Sequence, residues 1–374
     1  MLFRSKGVKI GVTTQIRVTH LSIGMTNESW EKNRKIFAER HQEYLPSKIK
    51  FSENDKIKVL ISCLFFQNYT GSEMYVFELA KNLKQMNCDV TIVANGTNGP
   101  LVKLANNLGI SVKNINEPPG YKLGDGKWIV NTVNGTRKSE LGVYYKIGEV
   151  HFDIIHCQHK PITELMCKLY PTIDKISTIH SEIIHLENPI KNTSIKKYIA
   201  IRPEIKNHMV SKFDIKENEV QVIYNPINSE KFNTVNTKND GYTLFVGTID
   251  NIRKNTIFDL VNYTKEKNKE LWVVGKNHSD YLQDLKSNSH VKYFDSTPDV
   301  EKFVKNCDET AGILLGRTTI EGWMCGKPGW IYDVDPNGNI KSKTKHEVPS
   351  DIDKFDSKLV SKQIKEEYLK ILNS

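Results

Sequence analysis

Residues 311–335 read A-G-I-L-L-G-R-T-T-I-E-G-W-M-C-G-K-P-G-W-I-Y-D-V-D. The pattern is strand, glycine turn, helix, glycine stop, strand. Residues 311–315 are a short apolar run of the kind buried in parallel sheets. Gly316 lets the chain turn tightly, and Thr318 or Thr319 can cap the helix that follows. Gly326 is a natural helix stop, Pro328 cannot continue the helix, and Gly329 opens the next strand. The first turn of such a helix has unpaired backbone N–H groups and partial positive charge, which suits a phosphate. Arg317 adds a full charge beside it. Glu321, just inside the helix, can reach a second group on the same ligand. On spacing alone, the stretch reads equally as one more strand-turn-helix of an α/β sheet with a surface Arg and Glu.

Working outward, the same alternation recurs on both sides. Upstream lie strand-like runs at 242–246, 271–274 and 291–294 and a helix at 298–304; downstream, 355–372 is amphipathic at helical spacing. Farther upstream, K-I-K-V-L-I-S-C at 56–63 is a buried strand. A loop follows, and Gly71-Ser72-Glu73 opens a helix to about residue 85 with Val76, Leu79, Ala80 and Leu83 inward. Strands at 88–94, 110–113, 152–157, 175–179, 197–201 and 220–223 continue the pattern, with helices at 101–108 and 203–212. A polar linker reaches Gly241. The expected organisation is an N-terminal extension (1–55), a Rossmann-like domain (56–228), a second Rossmann-like domain (240–354) and a C-terminal helix (355–374). In the extension, 8–18 alternates loosely and 27–44 looks helical.

Composition bounds the rest. The chain has 374 residues and a formal net charge of +9, enough for two domains and suited to an acidic partner. No apolar run approaches the ~18 residues of a membrane span, and the first residues lack a signal-type core. A cytosolic protein, at most peripheral at a membrane surface, is expected. Six cysteines without a C-x-x-C pair read as buried reduced thiols. His156 lies in the strand at 152–157 and His159 just after it, and His180 follows the strand at 175–179. Polar side chains at the carboxyl ends of parallel strands are where open α/β sheets bind ligands, although each His also reads as a hydrogen-bonded structural residue. No carboxylate or Cys completes an evident metal set with them. Asp333-Val-Asp335 reads as a strand-end turn before P-N-G. No RNP, zinc-finger, homeodomain or P-loop pattern is present. The Gly- and Lys-rich 116–150 region is a plausible acceptor surface, and its Gly124-Asp-Gly126 is no dinucleotide fingerprint.

The segment T-I-E-G-W-M-C-G-K-P resembles the donor-site signature of retaining glycosyltransferases of family 4, which have the GT-B fold: two Rossmann-like domains facing a central cleft. The resemblance runs in order over roughly residues 56–335. It places Glu321 on the family's ribose-binding Glu and His180, in T-I-H, on the active-site His near the transferred sugar. It also matches G-T-I-D-N-I-R-K-N from Gly247 to the donor-phosphate loop, with Lys254 on the Lys position. The family's first Glu falls on Ile313 and its loop Arg on Thr248; Arg253 or Arg317 can supply the charge that Thr248 lacks. The resemblance thus implies His180, Lys254 and Glu321 as catalytic residues. It implies Gly71, Gly247, Arg253, Lys254, Arg317, Thr318, Thr319 and Glu321 around the donor.

The activity so implied is transfer of a sugar from a UDP- or GDP-sugar to a saccharide, lipid-linked or other hydroxyl acceptor. Retention, no metal and no cofactor beyond the donor are expected. Two alternatives stand beside it. One is a phage-type enzyme acting on hydroxymethylated DNA bases, which the net charge permits without favouring. The other is a catalytically silent nucleotide-sugar-binding protein, prompted by Thr248 and Ile313.

Overall fold

The computed structural model describes residues 50–114 and 152–374. The expectations for 1–49, for the 116–150 acceptor surface and for Gly124-Asp-Gly126 lie outside the described residues. Lys50–Ser374 forms one compact unit.

Its first half alternates β1 (Ile57–Phe65), α1 (Gly71–Gln85), β2 (Cys88–Gly96), α2 (Pro100–Asn107) and β3 (Ser111–Asn114), then β4 (Ile154–Gln158), α3 (Lys160–Leu169), β5 (Lys175–Ile179), β6 (Ile195–Ala200), α4 (Pro203–Phe213) and β7 (Val220–Val222). The strands form one seven-stranded sheet in the order β3-β2-β1-β4-β5-β6-β7, parallel throughout. β1 shows why. Ile57, Val59, Ile61 and Cys63 enter one apolar cluster and Leu60 and Leu64 the other, so both faces are covered.

The second half runs β8 (Tyr242–Val246), α5 (Asn251–Glu266), β9 (Glu270–Val274), α6 (Leu282–Lys286), β10 (Val291–Phe294), α7 (Val300–Asn306), β11 (Glu309–Ile313), α8 (Arg317–Met324), β12 (Gly329–Val334) and β13 (Ile340–His346). Its sheet is ordered β10-β9-β8-β11-β12-β13. Only β13 is antiparallel, pairing along β12 from His346 opposite Gly329. Asp335 makes the turn between them, accepting from the backbone N–H of Asn337 (2.8 Å) and Asn339 (2.9 Å). Both sheets are α/β Rossmann-like layers, the GT-B architecture.

The last helix, α9 (Ser357–Leu372), returns to the first half. Asp356 caps it through the N–H groups of Lys358 and Leu359. Val360, Ile364, Tyr368 and Ile371, at helical spacing, join the cluster built on β1 and α1; burial of each such side chain is worth about 2 kcal/mol. Asp356 also bridges to Ile227, so the two crossings between the halves run side by side. All six cysteines are buried and unbridged. Among the described residues no helix is long and apolar enough to cross a membrane.

Candidate active site

Each sheet reverses strand order once: between β1 and β4 in the first, and between β8 and β11 in the second. Ligands bind at such points, outside the carboxyl ends of the strands. Here both points open on one cavity of about 730 Å³, lined from the first half by Gly71 and His180 and from the second by Gly247, Arg253 and Glu321.

On the second sheet, backbone comes unusually close. A Cβ on Gly275 would lie 1.9 Å from the carbonyl oxygen of Gly247, so the ends of β8 and β9 meet only because residue 275 has no side chain. Leu314, just after β11, takes φ +54°, a costly conformation for Leu that the surrounding packing must hold. The chain then enters α8 from Gly316, whose lack of a side chain leaves the helix start without a side-chain cap. The first-turn N–H groups therefore have no intrahelical acceptor, and residues 316–319 line the cavity. Thr318 is not the cap; its hydroxyl donates to the Val246 carbonyl at 2.9 Å and ties α8 to β8. Thr319 Oγ1 is buried without a hydrogen-bond partner among the described residues.

Arg317 spans this site. Its Nη2 donates to Glu321 Oε1 at 2.9 Å and its Nη1 to the Pro226 carbonyl at 2.8 Å. The ion pair is almost wholly buried, with 10% and 6% of the two side chains exposed. A Cβ on Gly71, from the other half, would meet Arg317 Cδ at 3.8 Å. The guanidinium thus ties α8 to the segment joining the halves, and the Arg317 side-chain stem lies beside Gly71. Nearby, Arg253 pairs with Asp250, the cap of α5, and leans over Gly247. Lys276 also lines the cavity, and its ammonium has no partner among the described residues.

The first sheet contributes a bonded network instead. His180 Nε2 lies 2.6 Å from Gln158 Oε1, and the His180 backbone N–H donates to Glu187 Oε2 at 3.2 Å. His159 stacks on the His180 ring at 5.9 Å, and Tyr75 meets the ring edge-on at 4.8 Å. Burial pushes the His180 imidazole down to about 4, against the opposing pull of Glu187, so it is neutral near pH 7. His159, at φ +64°, accepts the Leu64 N–H on Nδ1 at 3.3 Å and faces Glu187 Oε1 with Nε2 at 3.3 Å. His156 lies under the site, wholly buried, between Tyr368 of α9 and Thr178, each at 2.6 Å. Burial drives its imidazole down to about 3. Its place is structural.

The loop carrying Gly71 is held by Glu73. One carboxylate oxygen accepts the N–H groups of Gln67 (2.7 Å) and Asn68 (3.1 Å), and the other accepts the Thr70 hydroxyl (2.6 Å). Thr70-x-x-Glu73 is a capping-box sequence, a signal that points to this loop.

The site therefore brings together Gly71, His180, Gly247, Arg253, Arg317, Thr318, Thr319 and Glu321, with Thr248 and Ile313 also in the wall. Lys254 is the exception. Asp250 caps α5, so residues 253 and 254 sit in a helical first turn and point apart. Arg253 lines the cavity, while Lys254 is exposed with Nζ 5.3 Å from the Tyr281 ring centroid. Sequence reasoning passed over Glu187, Glu73 and Arg202, which also surround the cavity or its loop; Arg202 pairs with Glu182. Among the described residues no three His, Cys, Asp or Glu side chains gather to hold a metal ion.

Residues 69–231 match the model of Glycosyltransferase Family 4. Over these residues the chain is similar to the family 4 glycosyltransferases. Solved structures agree on the GT-B fold. TarM of S. aureus, solved with fondaparinux, α-GlcNAc-glycerol and UDP, has a TM-score of 0.58 at 12% identity, covering 85% of this chain and 100% of its own. Sucrose-phosphate synthase of Thermosynechococcus elongatus gives 0.56 at 13% identity, with 85% and 92% covered. HepE of Anabaena, solved with UDP-glucose, gives 0.54 at 13% identity, with 85% and 93% covered. No curated protein sequence matches the chain.

Proposed function

We propose that this glycosyltransferase moves a sugar from a UDP- or GDP-sugar to an acceptor hydroxyl, with retention and without a metal. The observation that carries the reading is the uncapped start of α8, with Arg253, Lys276 and Arg317 beside it and buried Glu321 one turn on. A diphosphate fits the N–H groups and the cations; ribose hydroxyls fit the Glu321 carboxylate. The sugar then extends toward Gly71 and His180. In the reaction the C1–O bond to the diphosphate breaks, the acceptor oxygen bonds to C1 on the same face, and the acceptor proton passes to a phosphate oxygen. Charge grows on the leaving diphosphate, so fixed cations there stabilise the transition state more than the ground state. These three cations are the reason no metal is required. Neutral His180 is suited to hydrogen-bond a sugar hydroxyl.

Glu321 is engaged by Arg317 in this structure, so ribose binding exchanges one partner of the carboxylate for another. Calorimetric titration of UDP, GDP and their sugars, with and without EDTA, tests the site. The expected result is binding of one nucleotide class, indifferent to EDTA and weakened in Glu321→Ala. NMR of the product anomer tests retention. Absence of binding by every nucleotide removes the reading. The silent alternative keeps one specific support, since Thr248 and Ile313 offer the cavity no charge; tight binding without turnover over a broad acceptor panel would favour it.

A further inference from the structure

We propose that Glu187 is a positioning residue that sets the His180 imidazole at the sugar end of the cleft. This rests on the reading of His180 as bordering the transferred sugar.

Glu187 lies in the short 3-10 turn His185–Glu187, lines the cavity, and is only 5% exposed. Both of its oxygens are committed, and to the two histidines at the ends of adjacent strands. Oε2 accepts the His180 backbone N–H at 3.2 Å, which fixes the point from which the ring swings. Oε1 faces His159 Nε2 at 3.3 Å. Because Leu64 N–H donates to His159 Nδ1, that nitrogen is the ring's acceptor, and Nε2 is the ring atom turned toward Glu187. His159 in turn lays its face on His180. The carboxylate therefore holds His180 twice, once through its main chain and once through the ring stacked on it. Gln158 at the ring tip and Tyr75 at its edge complete the clamp.

A buried carboxylate merely needing partners could be satisfied by any two N–H donors. This one meets, with its two oxygens, two groups that determine where one imidazole points. The charge it brings is also directed at that imidazole, since Glu187 favours the protonated ring while burial and the neighbouring His159 and His156 oppose it. Tyr75 is the remaining titratable group packed on the ring, and its hydroxyl is turned to Thr178 at 3.4 Å.

The test compares Glu187→Gln, Glu187→Asp and His180→Ala with wild type. Three readouts are taken: nucleotide affinity by calorimetry, kcat and KM for release of nucleotide from the sugar nucleotide that binds, and the His180 imidazole titration by NMR. Gln keeps the shape but sets an amide N–H against one of two donors. The expected result is a kcat lower by about 10- to 100-fold, nucleotide affinity unchanged, and a His180 midpoint moved to lower pH. Asp restores the charge without the reach, so its midpoint returns toward wild type while kcat stays low. The titration follows the folded fraction and is readable even in a destabilised variant. Wild-type kcat and an unmoved midpoint in Glu187→Gln, with His180→Ala impaired, overturn the positioning role alone. Unchanged turnover in His180→Ala overturns the placement of His180 itself, and the role of Glu187 with it.

Discussion

The two walls of the cleft are built on opposite terms. On the first sheet, His180, His159, Glu187 and Glu73 are bonded to each other or to nearby main chain. On the second, α8 starts without a side-chain cap, Thr319 Oγ1 has no partner, and the Lys276 ammonium is unpaired among the described residues. A satisfied network holds groups still; an unsatisfied one leaves donors for a ligand. The difference supports the proposed reading, in which the anionic part of the substrate meets the second sheet and the sugar meets the first.

The largest expected effect tests the second wall. Gly275→Ala drives a methyl into the Gly247 carbonyl, a backbone atom that cannot swing aside. The expected cost is about 3 kcal/mol or more of folding stability, together with loss of nucleotide binding. Urea unfolding and calorimetry read both. A near-neutral variant would show that the ends of β8 and β9 are not packed as described.

Next in size is Glu321→Ala. Removing a hydrogen-bonded charged group is worth about 1.5–3 kcal/mol, so nucleotide affinity should fall about 10- to 100-fold. The same change strips Arg317 of a buried partner, and stability should fall too. Pairing it with Arg317→Ala separates the two effects. If the double variant recovers stability and still binds weakly, the carboxylate serves the ligand as well as the Arg.

How much of this was legible in the sequence follows the same division. Parallel strands with both faces buried announce themselves as apolar runs, so β1, β4, β5, β8 and β11 stand within two or three residues of their expected places. Residues 311–335 form the expected strand, helix and strand. β13 went unread because I-K-S-K-T-K-H has no apolar pattern; an edge strand keeps its charges outward. Helix α3 went unread because Q-H-K-P looks like a turn, whereas Pro161 sits in its first turn. At the site, residues next to a glycine turn could be placed, but Lys254 and Arg253 differ only in which way a helix turns them. The pairing of Glu187 with His159 and His180 depends on a fold that joins β4 and β5 edge to edge, and no local spacing encodes it.

The first wall is tested by pH. His156 and His180 both resist protonation when folded, at about 3 and about 4, while unfolded histidines take a proton near 6.5. Between those limits the unfolded chain binds more protons, so stability is full above about pH 6.5 and falls as pH drops toward 4. The slope reaches about 1.4 kcal/mol per pH unit for wholly buried His156. Urea unfolding between pH 7 and 4.5 should show the decline, with a shallower one in His156→Gln. Equal slopes in the two proteins would mean that this histidine is not held neutral by the fold.

The smallest effect falls where the walls meet. Gly71 begins α1 beside Arg317, and an added Cβ finds only Arg317 Cδ, at the ordinary contact distance of 3.8 Å. Its backbone is helical, so Gly71→Ala should leave stability unchanged or raise it by about 0.5 kcal/mol. The methyl nevertheless occupies space that the proposed sugar crosses between Arg317 and His180. Affinity for the sugar nucleotide should drop about 3- to 10-fold, on the order of 1 kcal/mol, while affinity for the bare nucleotide holds; paired calorimetric titrations resolve that split. Loss of both affinities together would move the diphosphate onto the Gly71 loop and make the first wall an anion site as well. Loss of neither would leave Gly71 with only the turn into α1, and the sugar would have to lie farther along the His180 side.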